Sequence, residues 1–237
     1  LKYFTLVLTW LIINPLYLAG QEKIFKENGR FAANIERHFD VAPKGTFSIL
    51  RMAGSIRIQS WEKNVVFISE KRLMNVSNKK AAEKILKNID SEYRATKNSV
   101  AIKIQDLDEG IHSIFDIKLP KQYALDLNTS GGDINIETII GSVEAATSGG
   151  DIEVMEIEGR VNIATSGGDI EVKRIKGDLN VSTSGGEIDI DNVIGDTNAS
   201  TSGGEIKVYN TVGDVEAETH GGSIYVTNNK GVINVET

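Results

Sequence analysis

The chain has 237 residues, a formal charge of −7 and no cysteine. Its length allows one or two domains, and the missing thiols exclude a disulfide framework, a thiol nucleophile and an iron–sulfur site. The charge is lopsided: residues 1–128 carry 14 acids and 20 bases, and the rest carries 19 acids and 6 bases. A strongly acidic C-terminal half argues against nucleic acid as its partner.

In chain order, residues 1–20 read as an export signal. Lys2 supplies a positive charge, an apolar run extends from Tyr3 to Ile13, and Ala19-Gly20 offers a small-residue cleavage site. The run is short for a membrane span of about 20 residues, so membrane association is expected only through an uncleaved signal. Leu18-Ala19-Gly20 lacks the cysteine that a lipoprotein box needs next. Residues 21–45 are polar and mixed, a linker or a first edge strand. Phe47-Ser48-Ile49 and Gly54-Ser55-Ile56-Arg57-Ile58 open a degenerate coiled region over 46–128, and Val65 to Ile68 reads as a strand. The spacing of Ala81, Ala82, Ile85, Leu86 and Ile89 predicts one amphipathic helix over 78–90, with Ser77 or Asn78 as N-cap and a lysine face toward solvent. Val100 to Ile104 is a strand. Asp106-Leu107-Asp108-Glu109-Gly110 is an acidic turn without the spaced ligands of a calcium loop. Ile111 to Leu119 and Tyr123 to Leu127 are strands that lead into the regular part.

That part, residues 129–237, is a repeat. Thr129-Ser130-Gly131-Gly132-Asp133-Ile134 returns at Thr147, Thr165, Thr183 and Thr201, and in altered form at Thr219, every 18 residues without insertion or deletion. With the threonine as position zero, positions five and seven are aliphatic (Ile134 and Ile136, Ile152 and Val154, Ile170 and Val172), and so are most of positions fourteen and sixteen (Val143 and Ala145, Val161 and Ile163). Alternation at period two is the signature of half-buried strands, and the helical spacing i, i+3, i+4, i+7 is absent. One unit cannot bury its apolar side alone, but stacked units can. The fold class is therefore all-β: a parallel β-solenoid with two short strands per coil and four inward positions. Strands about 4.8 Å apart make six coils about 29 Å long. The glycine pairs Gly131-Gly132, Gly149-Gly150, Gly167-Gly168, Gly185-Gly186, Gly203-Gly204 and Gly221-Gly222 mark structural corners. No helix start follows them, so they are not phosphate loops.

The passage Phe115-Asp116-Ile117-Lys118-Leu119-Pro120, then Tyr123-Ala124-Leu125-Asp126-Leu127, then the Ser-Gly-Gly-Asp-Ile repeats resembles the bacterial β-solenoid domains of unknown function described as "putative adhesins". The resemblance covers residues 40–237. It implies an exported, envelope-associated, non-catalytic protein and supplies no functional residues.

The most suggestive constellation is a ladder of acids at position four: Asp133, Asp151, Asp169, Glu187 and Glu205, ending at Ser223. Stacking sets like charges one strand spacing apart, at a cost of about 1 kcal/mol per pair in water. Turn amides and water would offset this cost, or else bound cations or a basic partner. The Gly-Gly-x-Gly-x-Asp pattern of calcium β-rolls is not reproduced. Thr and Ser at positions zero and one form hydroxyl columns, and Asn162, Asn180, Asn198 and Asn234 form an outward amide column, structural ladders or a face that reads glycan hydroxyls. His38, His112 and His220 show no metal-ligand spacing, and no cofactor or metal is implied. Every coil carries the same acid, so no single carboxylate stands out as catalytic. The expected protein is an exported, adhesin-like binding or structural module in the periplasm, on the outer surface or secreted, with a surface glycan or protein as partner. Two alternatives are a scaffold that self-assembles through its C-terminal coil edge and, more remotely, a polysaccharide-active enzyme.

Overall fold

The computed structural model describes residues 23–87, 92–104 and 110–237. The segment read as an export signal, the acids Asp106, Asp108 and Glu109, and the helix position Ile89 lie outside them. The N-terminal part contains β1 (Ile24–Glu27), β2 (Arg30–Asp40), β3 (Lys44–Met52), β4 (Ile56–Trp61), β5 (Val65–Met74), α1 (Lys79–Leu86), β6 (Tyr93–Ala95), β7 (Ser99–Lys103), β8 (Ile111–Pro120) and β9 (Gln122–Thr129). Long and short strands then alternate: β10 (Ile134–Ile140), β11 (Val143–Thr147), β12 (Ile152–Glu158), β13 (Val161–Thr165), β14 (Ile170–Lys176), β15 (Leu179–Thr183), β16 (Ile188–Ile194), β17 (Thr197–Thr201), β18 (Ile206–Val212), β19 (Val215–Thr219), β20 (Ile224–Lys230) and β21 (Ile233–Glu236).

The long strands form one sheet, in the order β1-β2-β5-β8-β4-β10-β12-β14-β16-β18-β20. The short strands form another, β21-β19-β17-β15-β13-β11-β9-β3-β7-β6. From β10 onward neighbours are parallel and offset by one repeat, so Ile134, Ile152, Ile170, Ile188, Ile206 and Ile224 stand one above another. This is the parallel β-solenoid expected from the repeat.

The core is wider than period two implies. Position ten (Ile139, Ile157, Ile175, Val193, Thr211) is buried together with positions five, seven, fourteen and sixteen. The cause is a kink at position nine, where Thr138, Glu156, Arg174, Asn192, Asn210 and Asn228 all have left-handed backbone, with φ between 54° and 60°. A left-handed residue breaks the side-to-side alternation of an extended strand and turns position ten inward. Asparagine tolerates this conformation, whereas a β-branched residue such as Thr138 is strained in it. The stacked-amide hydrogen bond belongs to this column: Asn228 Nδ2 donates to Asn210 Oδ1 at 2.6 Å.

The corners show why the phrase begins with threonine. Each position-zero hydroxyl points inward and donates to a glycine carbonyl one coil back, at 2.9–3.0 Å for Thr147, Thr165, Thr183, Thr201 and Thr219. It also accepts from the second glycine of its own corner, at 3.2–3.4 Å. The two glycines of a pair are not equivalent. A Cβ on Gly150 would lie 2.1 Å from the Gly132 carbonyl oxygen, and one on Gly168 would lie 2.0 Å from that of Gly150. A Cβ on Gly149 would meet nothing within 4 Å. Close stacking of corners requires the second glycine; nothing sterically requires the first.

The N-terminal part does not wind in chain order. β4 sits between β8 and β10, and β3 between β7 and β9, so each pairs with a strand much later in sequence. Gly54 to Ile58 does act as an early coil, with Ile56 beside Ile134 and Ile58 beside Ile136. Residues 24–40, which the sequence marks as a linker or an edge strand, form β1 and β2, which extend the first sheet antiparallel beyond β5. Helix α1 starts at Asn78, whose side chain accepts the Ala81 N–H at 3.0 Å. It buries Ala82 and Leu86, lies against β1, and leaves Lys79, Lys80, Lys84 and Lys87 exposed.

Two alanine substitutions test the corner account. Gly149→Ala is expected to change unfolding free energy by no more than about 0.5 kcal/mol, and Gly150→Ala to lower it by roughly 3 kcal/mol or more. Denaturant melts of both variants check the contrast, and equal losses would contradict it.

Candidate functional site

The winding brings the five acids of position four into one column beside the outer face of the long-strand sheet. Each sits at the corner that precedes a long strand, so the residue after it pairs with its equivalents one coil away. The column is tied together by backbone. Asp133 Oδ1 accepts the Asp151 N–H at 3.1 Å, Asp151 Oδ1 accepts that of Asp169 at 2.8 Å, and Asp169 Oδ1 accepts that of Glu187 at 2.8 Å. Below them the Ser55 hydroxyl accepts the Asp133 N–H at 3.2 Å. An aspartate is the right length to reach the next corner's amide, and a charged acceptor makes a stronger hydrogen bond than a neutral one. The two glutamates, one methylene longer, turn to lysine instead: Lys207 lies 2.5 Å from Glu205 and 3.6 Å from Glu187.

Position six adds a parallel column. Asn135, Glu153, Glu171 and Asp189 face the acids of position four across an open groove. Lys173 pairs with Glu171 of this column. Partial burial raises the Asp189 pKa from its ordinary value, and the neighbouring Glu171 charge raises it further. Among the described residues no group of three or more His, Asp or Glu is placed to hold a metal ion. The geometry of these columns supplies acceptors to corner amides and to lysines.

A second acidic column emerges at position thirteen, where the acid recurs only in later coils and so stands out less in the repeat. Asp196 Oδ1 accepts the Asp214 N–H at 3.0 Å, and Asp214 Oδ1 accepts that of Val232 at 2.9 Å. The same device thus serves both corners of a coil. His220 lies 3.7 Å from Glu218, and both side chains are exposed.

Little in the residue pattern signals the buried charges at the N-terminal end. Strand β5 alternates correctly, and its inward residues are Val66, Ile68, Glu70, Arg72 and Met74. Arg72 Nε donates to Glu70 at 2.6 Å and its Nη2 to Glu92 at 2.7 Å. Ser113 donates to Glu70 at 2.6 Å, the Tyr93 hydroxyl also donates to Glu70, and Arg37 lies over the Tyr93 ring. Burial would lower the Arg72 pKa, but Glu70 and Glu92 outweigh it and hold the guanidinium charged. Burial, followed by the Glu70 charge, pushes the Tyr93 phenol well up. These groups satisfy one another, a closed lock between β5, β8 and the segment that leads into β6.

A family model described as Toastrack DUF4097 matches residues 54–237. Three solved structures are similar. A "putative adhesin" from Bacteroides fragilis NCTC 9343 is 14% identical, with 86% of this chain and 96% of that chain covered, at a TM-score of 0.47. A "putative lipid binding protein" from Parabacteroides distasonis ATCC 8503 is 13% identical, with 85% and 96% covered, at a TM-score of 0.37. A "putative adhesin" from the same organism is 12% identical, with 86% and 96% covered, at a TM-score of 0.29. No curated protein matches the chain.

Two substitutions separate an amide acceptor from a cation ligand. Asp151→Ala is expected to cost about 1 kcal/mol by leaving the Asp169 amide without its partner, whereas Asp151→Asn keeps the acceptor and the stability. Thermal melts with and without calcium read the difference. If Asn is as damaging as Ala, the charge is what matters. Asp189 gives a pH test. An acid with a raised folded pKa opposes folding when ionised, and the opposition vanishes as pH falls through that value. Asp189→Asn should therefore stabilise the protein at neutral pH, with the gain over the parent shrinking on acidification.

Proposed function

The chain belongs to the Toastrack DUF4097 family, and from there we propose that it is an exported, non-catalytic module of the bacterial cell envelope whose rigid rod presents its outer rows to a surface glycan or protein. The observation that carries this is the regularity of the rod's corners and core. These residues recur in every coil at one strand spacing while outward residues such as Glu137, Met155, Lys173 and Asp191 vary, and the corner aspartates are occupied with amides of the next coil. A catalytic site needs unlike groups brought together in a protected place; a ruled, open surface instead suits contact with an extended partner. The residues 1–20 pattern supports export. Among the described residues no helix is long and apolar enough to cross a membrane.

Cell fractionation tests the assignment. The protein is expected with the envelope or in the medium, and open to protease once the outer layers are permeable. Retention with soluble cytoplasmic markers overturns it.

A scaffold built by coil-end association is the second reading, favoured by the outermost strands. Among the described residues no strand pairs with the outer edge of β20 or β21, and Ile233 and Val235 there are 46% and 54% exposed. Unpaired edges invite strand addition. Light scattering should show concentration-dependent association that Ile233→Lys/Val235→Lys removes; a parent chain that stays monomeric at high concentration ends this reading.

A further inference from the structure

Beyond the N-terminal end of the acidic columns, the same sheet face carries a different chemistry. The register of β2, β5, β8 and β4 sets His38 beside Phe67, Phe67 beside Lys118, and Lys118 beside Gln59. Trp61 lies two residues beyond Gln59 at the end of β4. The His38 and Phe67 ring centroids are 4.7 Å apart, and those of Trp61 and Phe67 are 6.3 Å apart at an interplanar angle of 32°. The Trp61 indole N–H donates to the Val65 carbonyl at 2.8 Å, which fixes the ring across the turn between β4 and β5. The rings of Trp61 and Phe67 are half-buried, and His38, Lys63 and Lys118 are exposed.

Cross-strand packing accounts for the ring spacing, but not for the cations at its rim. The Lys63 ammonium stands 4.9 Å from the Trp61 ring centroid, and Lys118 projects beside Phe67. Neither has a carboxylate partner among the described residues, whereas Lys71, Lys173 and Lys207 on the same face each have one. Four strands span about 14 Å across, a platform long enough for a short oligomer. On one side it meets β10, where Glu137 accepts a hydrogen bond from Gln59 at 2.8 Å and Asp133 begins the acidic column. An anionic ligand would be attracted over the lysines and repelled from the rest of the rod.

We propose that this aromatic row binds an acidic oligosaccharide, the sugar's C–H faces lying on Phe67 and Trp61 and its carboxylates meeting Lys63 and Lys118. Aromatic side chains offer flat apolar area at little entropic cost, and a saccharide supplies the matching mixture of apolar face and polar rim. The neighbouring carboxylates select against a long polyanion that would run on along the sheet. The site rests on the binding role proposed above and gives that role a location and a ligand class.

The chain has two tryptophans, Trp10 and Trp61, so intrinsic fluorescence reports on the platform. Titrating the whole chain with oligogalacturonate should shift the emission saturably. Phe67→Ala and Lys118→Ala should each weaken binding by roughly three- to tenfold, with Lys118→Arg restoring it. Melting curves show whether each variant is folded, and the exposed Lys118 carries the test if Phe67→Ala is not. No response to oligogalacturonate overturns the proposal, as does an equal response to a neutral cello-oligosaccharide. Polyphosphate binding that survives Phe67→Ala also overturns it, by reducing the patch to a plain cationic surface. A protein that fractionates with the envelope yet ignores oligogalacturonate loses this site and keeps the wider role.

Discussion

Every corner of this solenoid must pass within a strand spacing of the corner before it, and that closeness governs the rest. A Cβ on the second glycine of a pair would fall 1.9–2.1 Å from the carbonyl oxygen one coil back at Gly150, Gly168, Gly186, Gly204 and Gly222. The threonine hydroxyl then bridges the same two corners, giving to the carbonyl behind and taking from the amide ahead. An apolar column of Ile and Val results from this geometry. Once the corners are locked at one length, an 18-residue period leaves equivalent positions nowhere to go but above one another.

Identical stacking brings a cost as well, because like charges stack with like. The corners turn part of it into hydrogen bonding. A carboxylate that accepts the next coil's N–H satisfies a donor left over where the strand bends away. Aspartate does this at Asp133, Asp151 and Asp169, and again at Asp196 and Asp214. Where the residue lengthens to glutamate, lysine takes over. The columns that resemble a cation site in the bare repeat are in large part the trim of the corners.

The two ends of the long-strand sheet are built on different principles. The regular coils are satisfied locally, each by its neighbour, as in any quasi-one-dimensional repeat. The N-terminal end spreads into antiparallel strands and a helix, and encloses Glu70, Arg72, Glu92 and Tyr93. Buried ion pairs contribute little net stability, but losing one partner is costly. The outer face of this end holds lysines beside aromatic rings, with no carboxylate partner for Lys63 or Lys118 among the described residues, in contrast to the acidic rod.

By itself the sequence determined the class of fold, the period, the stacking of Ile152 on Ile170 on Ile188, and the presence of a capped helix near residue 80. All of these depend on local spacing, which a repeat without insertions preserves. Several things were decided only in three dimensions. The left-handed kink at position nine turns position ten inward, and nothing in the identities of Thr138, Glu156 and Arg174 announces it. The unequal demands on two adjacent glycines depend on how near the previous corner lies. The insertion of β4 between β8 and β10, and the meeting of Arg72 with Glu92 and of Trp61 with Phe67, join residues through the sheet and not through the chain. A pattern read along one strand carries the period of that strand. Which distant strand lies beside it is set by packing across the sheet, where the energy of a pairing is shared between residues that the sequence keeps apart.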